Sequence, residues 1–276
     1  MSLPTEIAAL IYGAVVGLSL GLTGGGGSIF AVPLLVYGLG LGMRSAVALS
    51  LLVVGLTAIY GAALQCRGGT VRWRAGLVLG LGGLMTAPLG SWLGRLLPEA
   101  LALLLFALLM LLVGWRMWSQ PTQATEVPLA PSRLACRVPT AGTIDRFQPA
   151  CAAKLLFAGA VTGVLAGMFG VGGGFLVVPA LLIVARLPIV QALATSLVGI
   201  GLISIVGFAA NAGQLAANDR LVGMWFLIGA GAGMTIGIAV KRFLPGRYLS
   251  RGFALMVIAV AGWMLWQTAV GWWQQG

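Results

Sequence analysis

Single charges and turn residues divide this sequence into ten apolar runs, at 7–23, 28–39, 46–64, 75–93, 100–118, 152–169, 174–185, 190–210, 221–240 and 252–270. Eight of them approach the ~20 residues that carry a helix across the hydrocarbon of a bilayer. So many runs of that length leave a soluble fold no surface of its own. Composition agrees, with 60% apolar and 8% charged residues in 276, against roughly 45–50% and 25% in a soluble domain. The expectation is an all-α polytopic membrane protein in contact with lipid. Runs 28–39 and 174–185 are shorter, about 18 Å of helix against a hydrocarbon core about 30 Å thick. They read as half-helices or strongly tilted segments.

Several function classes fall away. The chain has no His, which removes Ser–His and Cys–His nucleophile pairs, imidazole relays and His-based zinc sites. Cys66, Cys136 and Cys151 show no CxxC spacing, so neither a disulfide framework nor a metal cluster is indicated. No catalytic residue, metal or cofactor is expected. The formal charge of +11 would point to nucleic acid in a soluble protein. Here the basic residues sit between apolar runs, where they act as topology signals, and no nucleic-acid partner is expected.

The sequence is also an internal duplication. GAVVGLSLGLTGGGGSIFAVPLL, from Gly13, returns as GAVTGVLAGMFGVGGGFLVVPAL, from Gly159. A shift of 146 residues lays Gly17, Gly21, Gly24, Gly26, Gly27 and Pro33 on Gly163, Gly167, Gly170, Gly172, Gly173 and Pro179, and Ser50 on Ser196. Residues 1–119 and 150–276 are read as two repeats, each with four long segments and one short one. The polar, proline-rich stretch 120–149 is read as the linker between them.

Charge bears on how the repeats are oriented. Four crossings per half would spread the basic residues nearly evenly over both faces, which the positive-inside rule disfavours. If each glycine cluster instead turns the chain back, one face keeps only Arg44, Arg95 and Arg220, and the other thirteen of the 16 Lys and Arg share the opposite face. Inverted repeats are therefore expected, with both termini outside and the linker in the cytoplasm.

Consecutive glycines inside an apolar run oppose a helix by about 1 kcal/mol each relative to Ala. Broken backbone at membrane depth is tolerated where it packs in protein or lines a wet cavity. Each cluster leads into a short helix, beginning near Ser28 and Gly174, whose first N–H groups lack intrahelical partners. Two such N-termini aimed at a common point suit an anion, with glycine letting the backbone approach it. The candidate substrate-binding residues are Thr23, Gly24, Gly26, Gly27, Ser28 and Ser50 in the first half, with Gly170, Gly172, Gly173, Gly174, Thr195 and Ser196 in the second. The spacing of Gly13, Gly17 and Gly21 is instead that of a helix-packing stripe.

Other polar residues within the runs, Thr57, Thr86, Asn211 and Thr235, are ascribed to bonds within their own helices or to helix ends. The five acids, Glu6, Glu99, Glu126, Asp145 and Asp219, lie at run ends or in loops, so no intramembrane carboxylate is expected to relay protons or hold a cation. Transport would then follow the gradient, or a proton or Na⁺ would travel with the substrate or on hydroxyl and carbonyl groups.

The stretches GLTGGGGSIFAVPLL with ALSLL, and GMFGVGGGFLVVPAL with ATSLV, resemble the paired signature of the sulfite exporter TauE/SafE family, also called the toluene sulfonate uptake permease family. The resemblance covers nearly the whole chain. It implies a bacterial inner-membrane transporter of sulfite, sulfoacetate, sulfonates or related organic acids. By position it carries the motif role onto Gly24, Gly26, Gly27, Pro33 and Ser50, and onto Gly170, Gly172, Gly173, Gly174, Pro179, Thr195 and Ser196. The halves differ where Leu49 faces Thr195. Two other functions fit the same residues: a passive anion channel, and an accessory membrane subunit that binds partners through the basic linker.

Overall fold

The computed structural model describes residues 3–66, 69–98, 101, 104–108, 111–112, 115, 149–170, 173–185, 187–215, 219–241, 255, 258–259 and 262. Among these there is no strand, and the helices follow the apolar runs. They are α1 (Leu3–Thr23), α2 (Ser28–Pro33), α3 (Met43–Cys66), α4 (Trp73–Leu96), α5 (Pro149–Phe169), α6 (Gly174–Ile183), α7 (Ile189–Asn211) and α8 (Asp219–Lys241). Six are long and apolar enough to cross a membrane, and the chain is a multi-pass membrane protein. The runs expected at 100–118 and 252–270, and the linker at 120–149, fall mostly or wholly outside the described residues.

Both short runs form short helices. In α2, Pro33 lacks an N–H, and the chain passes directly into a π-helical turn over Leu34–Gly38, closed by Leu39 N–H donating to the Leu34 carbonyl at 3.1 Å. Proline withdraws one rung of the helical ladder, and the wider turn accommodates the loss. α6 runs for 10 residues from Gly174.

Helices α3 and α7 form the centre. Of their most apolar stretches 67% and 72% is buried, against 39–44% in the other four spans. Around them α1 packs along α8, and α5 along α4. Both outer pairs are seated on glycine. A Cβ on Gly13 or Gly17 would collide with the carbonyl of Phe226 or Ala230, and one on Gly159, Gly163 or Gly167 with that of Leu79, Gly83 or Ala87. Without a hydrophobic effect between helices in lipid, such backbone approach supplies the dispersion contact that holds them. The faces turned away carry Ile7, Ile11, Met85, Leu89, Phe157 and Ile228, all more than half exposed, as a lipid-facing surface should.

The order of these contacts gives helix directions. Successive glycines of α1 meet successive turns of α8 in ascending order, as those of α5 do along α4, so each outer pair is parallel. Gly76 and Gly80 of α4 meet Val198 and Leu202 of α7, and Leu49 and Met234 pair with Gly223 and Gly61 between α3 and α8. Those pairs are parallel too. Between α3 and α7 the order reverses, with Gly55 against Ser204, Ile59 against Gly201 and Leu51 against Gly207.

Candidate functional site

The two glycine breaks come together in the middle of the bundle. At both, the preceding helix ends on a left-handed glycine, Gly24 at φ +70° and Gly170 at φ +72°, a conformation that L-residues with a Cβ adopt at a cost of about 1–2 kcal/mol. Each N–H still closes the helix behind it, Gly24 onto the Leu20 carbonyl at 2.8 Å and Gly170 onto that of Ala166 at 2.9 Å. The turns then meet backbone to backbone: a side chain on Gly25 would strike the Gly174 carbonyl, and one on Gly174 would strike the Gly25 carbonyl.

Each turn is gripped by the central helix of the other half. Gly24 lies on Leu193 of α7 and Gly170 on Val47 of α3, positions that are themselves repeat mates. The hydroxyl of Ser196 donates to the Gly24 carbonyl and that of Ser50 to the Gly170 carbonyl. Both serines are fully buried. Each hydroxyl also lies within hydrogen-bonding distance of a carbonyl on its own helix, Val47 at 2.8 Å and Leu193 at 2.9 Å. The two turns thus share one centre, built from reciprocal contacts.

The remaining candidates are local to the turns, with one exception. Thr23 Oγ1 donates to the Ser19 carbonyl at 2.6 Å and accepts from Gly26 N–H at 2.9 Å. Ser28 Oγ donates to the Gly25 carbonyl at 2.7 Å. Gly27 packs on the α1 backbone at Val16 and Leu20. Gly173, left-handed at φ +68°, precedes α6, while Gly172 lies outside the described residues. Thr195 is directed elsewhere: its Oγ1 accepts the N–H of Arg72 at 2.9 Å, at the start of α4. Among the described residues, the N–H groups of Gly25, Gly27 and Ser28 make no backbone hydrogen bond, leaving donors at the α2 end of the contact.

The sequence reading passed over Val47 and Leu193, which complete the contact, and took Gly25 only as part of the cluster Gly24 to Gly27. Gly25 stands opposite Val171 in the repeat register, so the internal comparison gave no signal for it. It also placed Asn211 at a helix end needing no explanation. That side chain is buried and reaches across the halves, Nδ2 donating to Ser91 Oγ at 2.8 Å. Among the described residues no group of three or more His, Cys, Asp or Glu is placed to hold a metal. Cys66 is a free thiol, whereas Cys151 is disulfide-bonded, which the cysteine spacing did not indicate.

Among the described residues, six helices long and apolar enough to span a membrane surround two mated backbone breaks, the architecture of a polytopic membrane protein. The family described as Sulfite exporter TauE/SafE matches residues 9–268, and the chain belongs to that family. It is similar to a probable membrane transporter protein of Xylella fastidiosa (strain 9a5c), 32% identical over 271 residues, 97% of this chain and 98% of that protein. It is 27% identical over 248 residues to the probable membrane transporter protein MJ0441 of Methanocaldococcus jannaschii, covering 88% of this chain and 82% of that one. To the probable membrane transporter protein YunE of Bacillus subtilis it is 23% identical over 282 residues, covering 95% and 97%. No solved structure matches the chain.

Proposed function

We propose that this chain is a secondary transporter of a small anion, a sulfur oxyanion or organosulfonate such as sulfite or sulfoacetate, bound at mid-membrane between the two glycine turns. The observation that carries the reading is the meeting of the turns: two mated breaks, each clasped by a serine of the opposite half, with N–H donors at α2 that bond no backbone acceptor among the described residues. Backbone N–H groups at a helix start favour negative charge and need no cationic side chain. In the described conformation the turns touch, so admitting an anion requires them to part. Rocking of the halves about this centre supplies that opening and alternates access.

The same proposal places the halves as inverted repeats in a bacterial inner membrane, with termini outside and the 120–149 linker in the cytoplasm. Chaining the helix directions supports it: α1, α3 and α8 share one sense, and α4, α5 and α7 the other. The mates α1 and α5, α3 and α7, and α4 and α8 then oppose one another. Arg44, Arg95 and Arg220 fall at one end, the arrangement the positive-inside rule favours. The test is flux of labelled sulfite, sulfate, thiosulfate, an organosulfonate and acetate into sealed proteoliposomes, with and without a proton or Na⁺ gradient. Saturable, selective flux of a sulfur anion, lost in Gly24→Val, is expected. Flux of every anion without saturation would instead make the protein a channel, and equal flux in Gly24→Val would remove the turn from the site.

A further inference from the structure

The bundle holds a cavity of about 290 Å³ at the end where α3 begins and α4, α5 and α7 finish. Arg44, Ser45, Ser91, Arg95, Asn211 and Gln214 supply its polar wall, and Val47, Gly167 and Met168 also line it. Val47 is the residue on which Gly170 rests, so the cavity abuts the second glycine turn. Most of the neutral polar groups are already engaged: Ser45 Oγ with the Gln214 carbonyl at 3.1 Å, Ser91 Oγ with the Ala87 carbonyl at 3.1 Å, and Asn211 Nδ2 with Ser91 and the Gly207 carbonyl. Arg95 makes two long bonds, to the Ser91 and Ala210 carbonyls at 3.3 and 3.4 Å. Neither it nor Arg44 is paired with an acid among the described residues, and none lines the cavity. Glu99, four residues past Arg95, is outside those residues.

The repeat makes this end chemically distinct. The mate of Arg44 is Val190, and the mate of Arg95 is Lys241, whose Nζ donates to Gln65 Oε1 at 3.4 Å. On that opposite end Arg72 likewise donates from Nε to Gln191 Oε1 at 3.1 Å. We propose that the Arg44–Arg95 cavity is an anion-binding vestibule, separate from the glycine turns, that collects a small oxyanion or sulfonate at one end of the pathway. Guanidinium forks match oxyanion geometry, and a low-dielectric cleft of one charge sign concentrates counter-ions. The proposal draws the cargo class from the reading above, while its electrostatics stand apart from it.

The experiment introduces Ser45→Cys into the full chain in proteoliposomes, the parent chain serving as the blank. Its rates of modification by a negatively and a positively charged methanethiosulfonate reagent are compared. A preference for the negative reagent of about tenfold or more at low salt is expected, falling to near unity in Arg44→Gln/Arg95→Gln and retained in Arg44→Lys/Arg95→Lys. At matched ionic strength, sulfate in place of chloride should slow labelling several-fold. Equal rates for the two reagents, a preference that survives neutralisation, or identical rates in sulfate and chloride would overturn the vestibule. Flux in the same vesicles separates the two proposals. Charge-selective, sulfate-sensitive labelling without flux of any sulfur anion strikes the transport reading alone, and flux with unselective labelling strikes the vestibule alone.

Discussion

Ser50 and Ser196 each reach a carbonyl in the other half of the chain. The Gly24 and Gly170 carbonyls lie at a break just past the last residues of their helices, and both glycines are buried where water cannot substitute. Removing one hydroxyl leaves a buried acceptor unsatisfied, at about 1–3 kcal/mol. Ser50→Ala and Ser196→Ala should each lower the thermal midpoint of the detergent-solubilised protein, by similar amounts because the contacts are reciprocal, whereas Thr235→Ala should leave it unchanged. Thr235 is exposed and bonds only to Ala232 of its own helix. Midpoints unmoved in both serine variants would mean that these bonds do not hold the centre. The pairing of Ser50 with Ser196 was legible in the sequence from the 146-residue shift. Their partners were not, since periodicity within one half says nothing of which carbonyl faces it from the other. Thr195 shows the same gap: the sequence puts it beside Ser196, and helical geometry turns it about 100° away, onto Arg72.

At the scale of elements, the glycine stripes divide into two kinds that spacing alone had already separated. Gly13, Gly17 and Gly21 recur every fourth residue and seat α1 against α8; the consecutive glycines break the chain. The short helices were equally legible, because their length falls well below the bilayer's and a proline stands in each. Which helix receives each stripe was not, since α1 packs on the last described helix and α5 on a helix of the first half, a crossing between halves that local sequence does not encode. The contact surfaces make a graded prediction. Gly17→Val sets a branched side chain against the Ala230 backbone, and Gly163→Val does the same against Gly83, so both should sharply reduce the yield of monodisperse protein. Gly231→Ala, on the same helix as Ala230 but facing open space, should match the wild type. A normal yield from both valine variants would mean that close backbone approach is not what joins these pairs.

For the whole molecule, the duplication and the charge pattern act together. A chain that repeats itself in sequence can close around one centre with reciprocal contacts if its halves run oppositely, and the described turns have that reciprocity: Gly24 with Leu193 and Ser196, Gly170 with Val47 and Ser50. The same arrangement fixes which loops share a side. Arg44 begins α3, Arg95 lies in the last turn of α4 and Arg220 lies in the first turn of α8, while Arg72, Lys154 and Lys241 sit at the opposite helix ends. Under the proposed topology the linker faces the cytoplasm with the second group. In a chain whose Cys66, Cys136 and Cys151 are replaced by Ser, the cysteine placed by Gln123→Cys should therefore resist a membrane-impermeant maleimide applied to intact cells and react after the membrane is opened, whereas one placed by Arg220→Cys should react in intact cells. The pair matters more than either site, because the two positions must report opposite sides for the repeats to be inverted about the glycine turns. Reaction of both from outside would rule out inverted repeats, and reaction of the Gln123 site alone would reverse the topology and turn the Arg44–Arg95 end toward the cytoplasm.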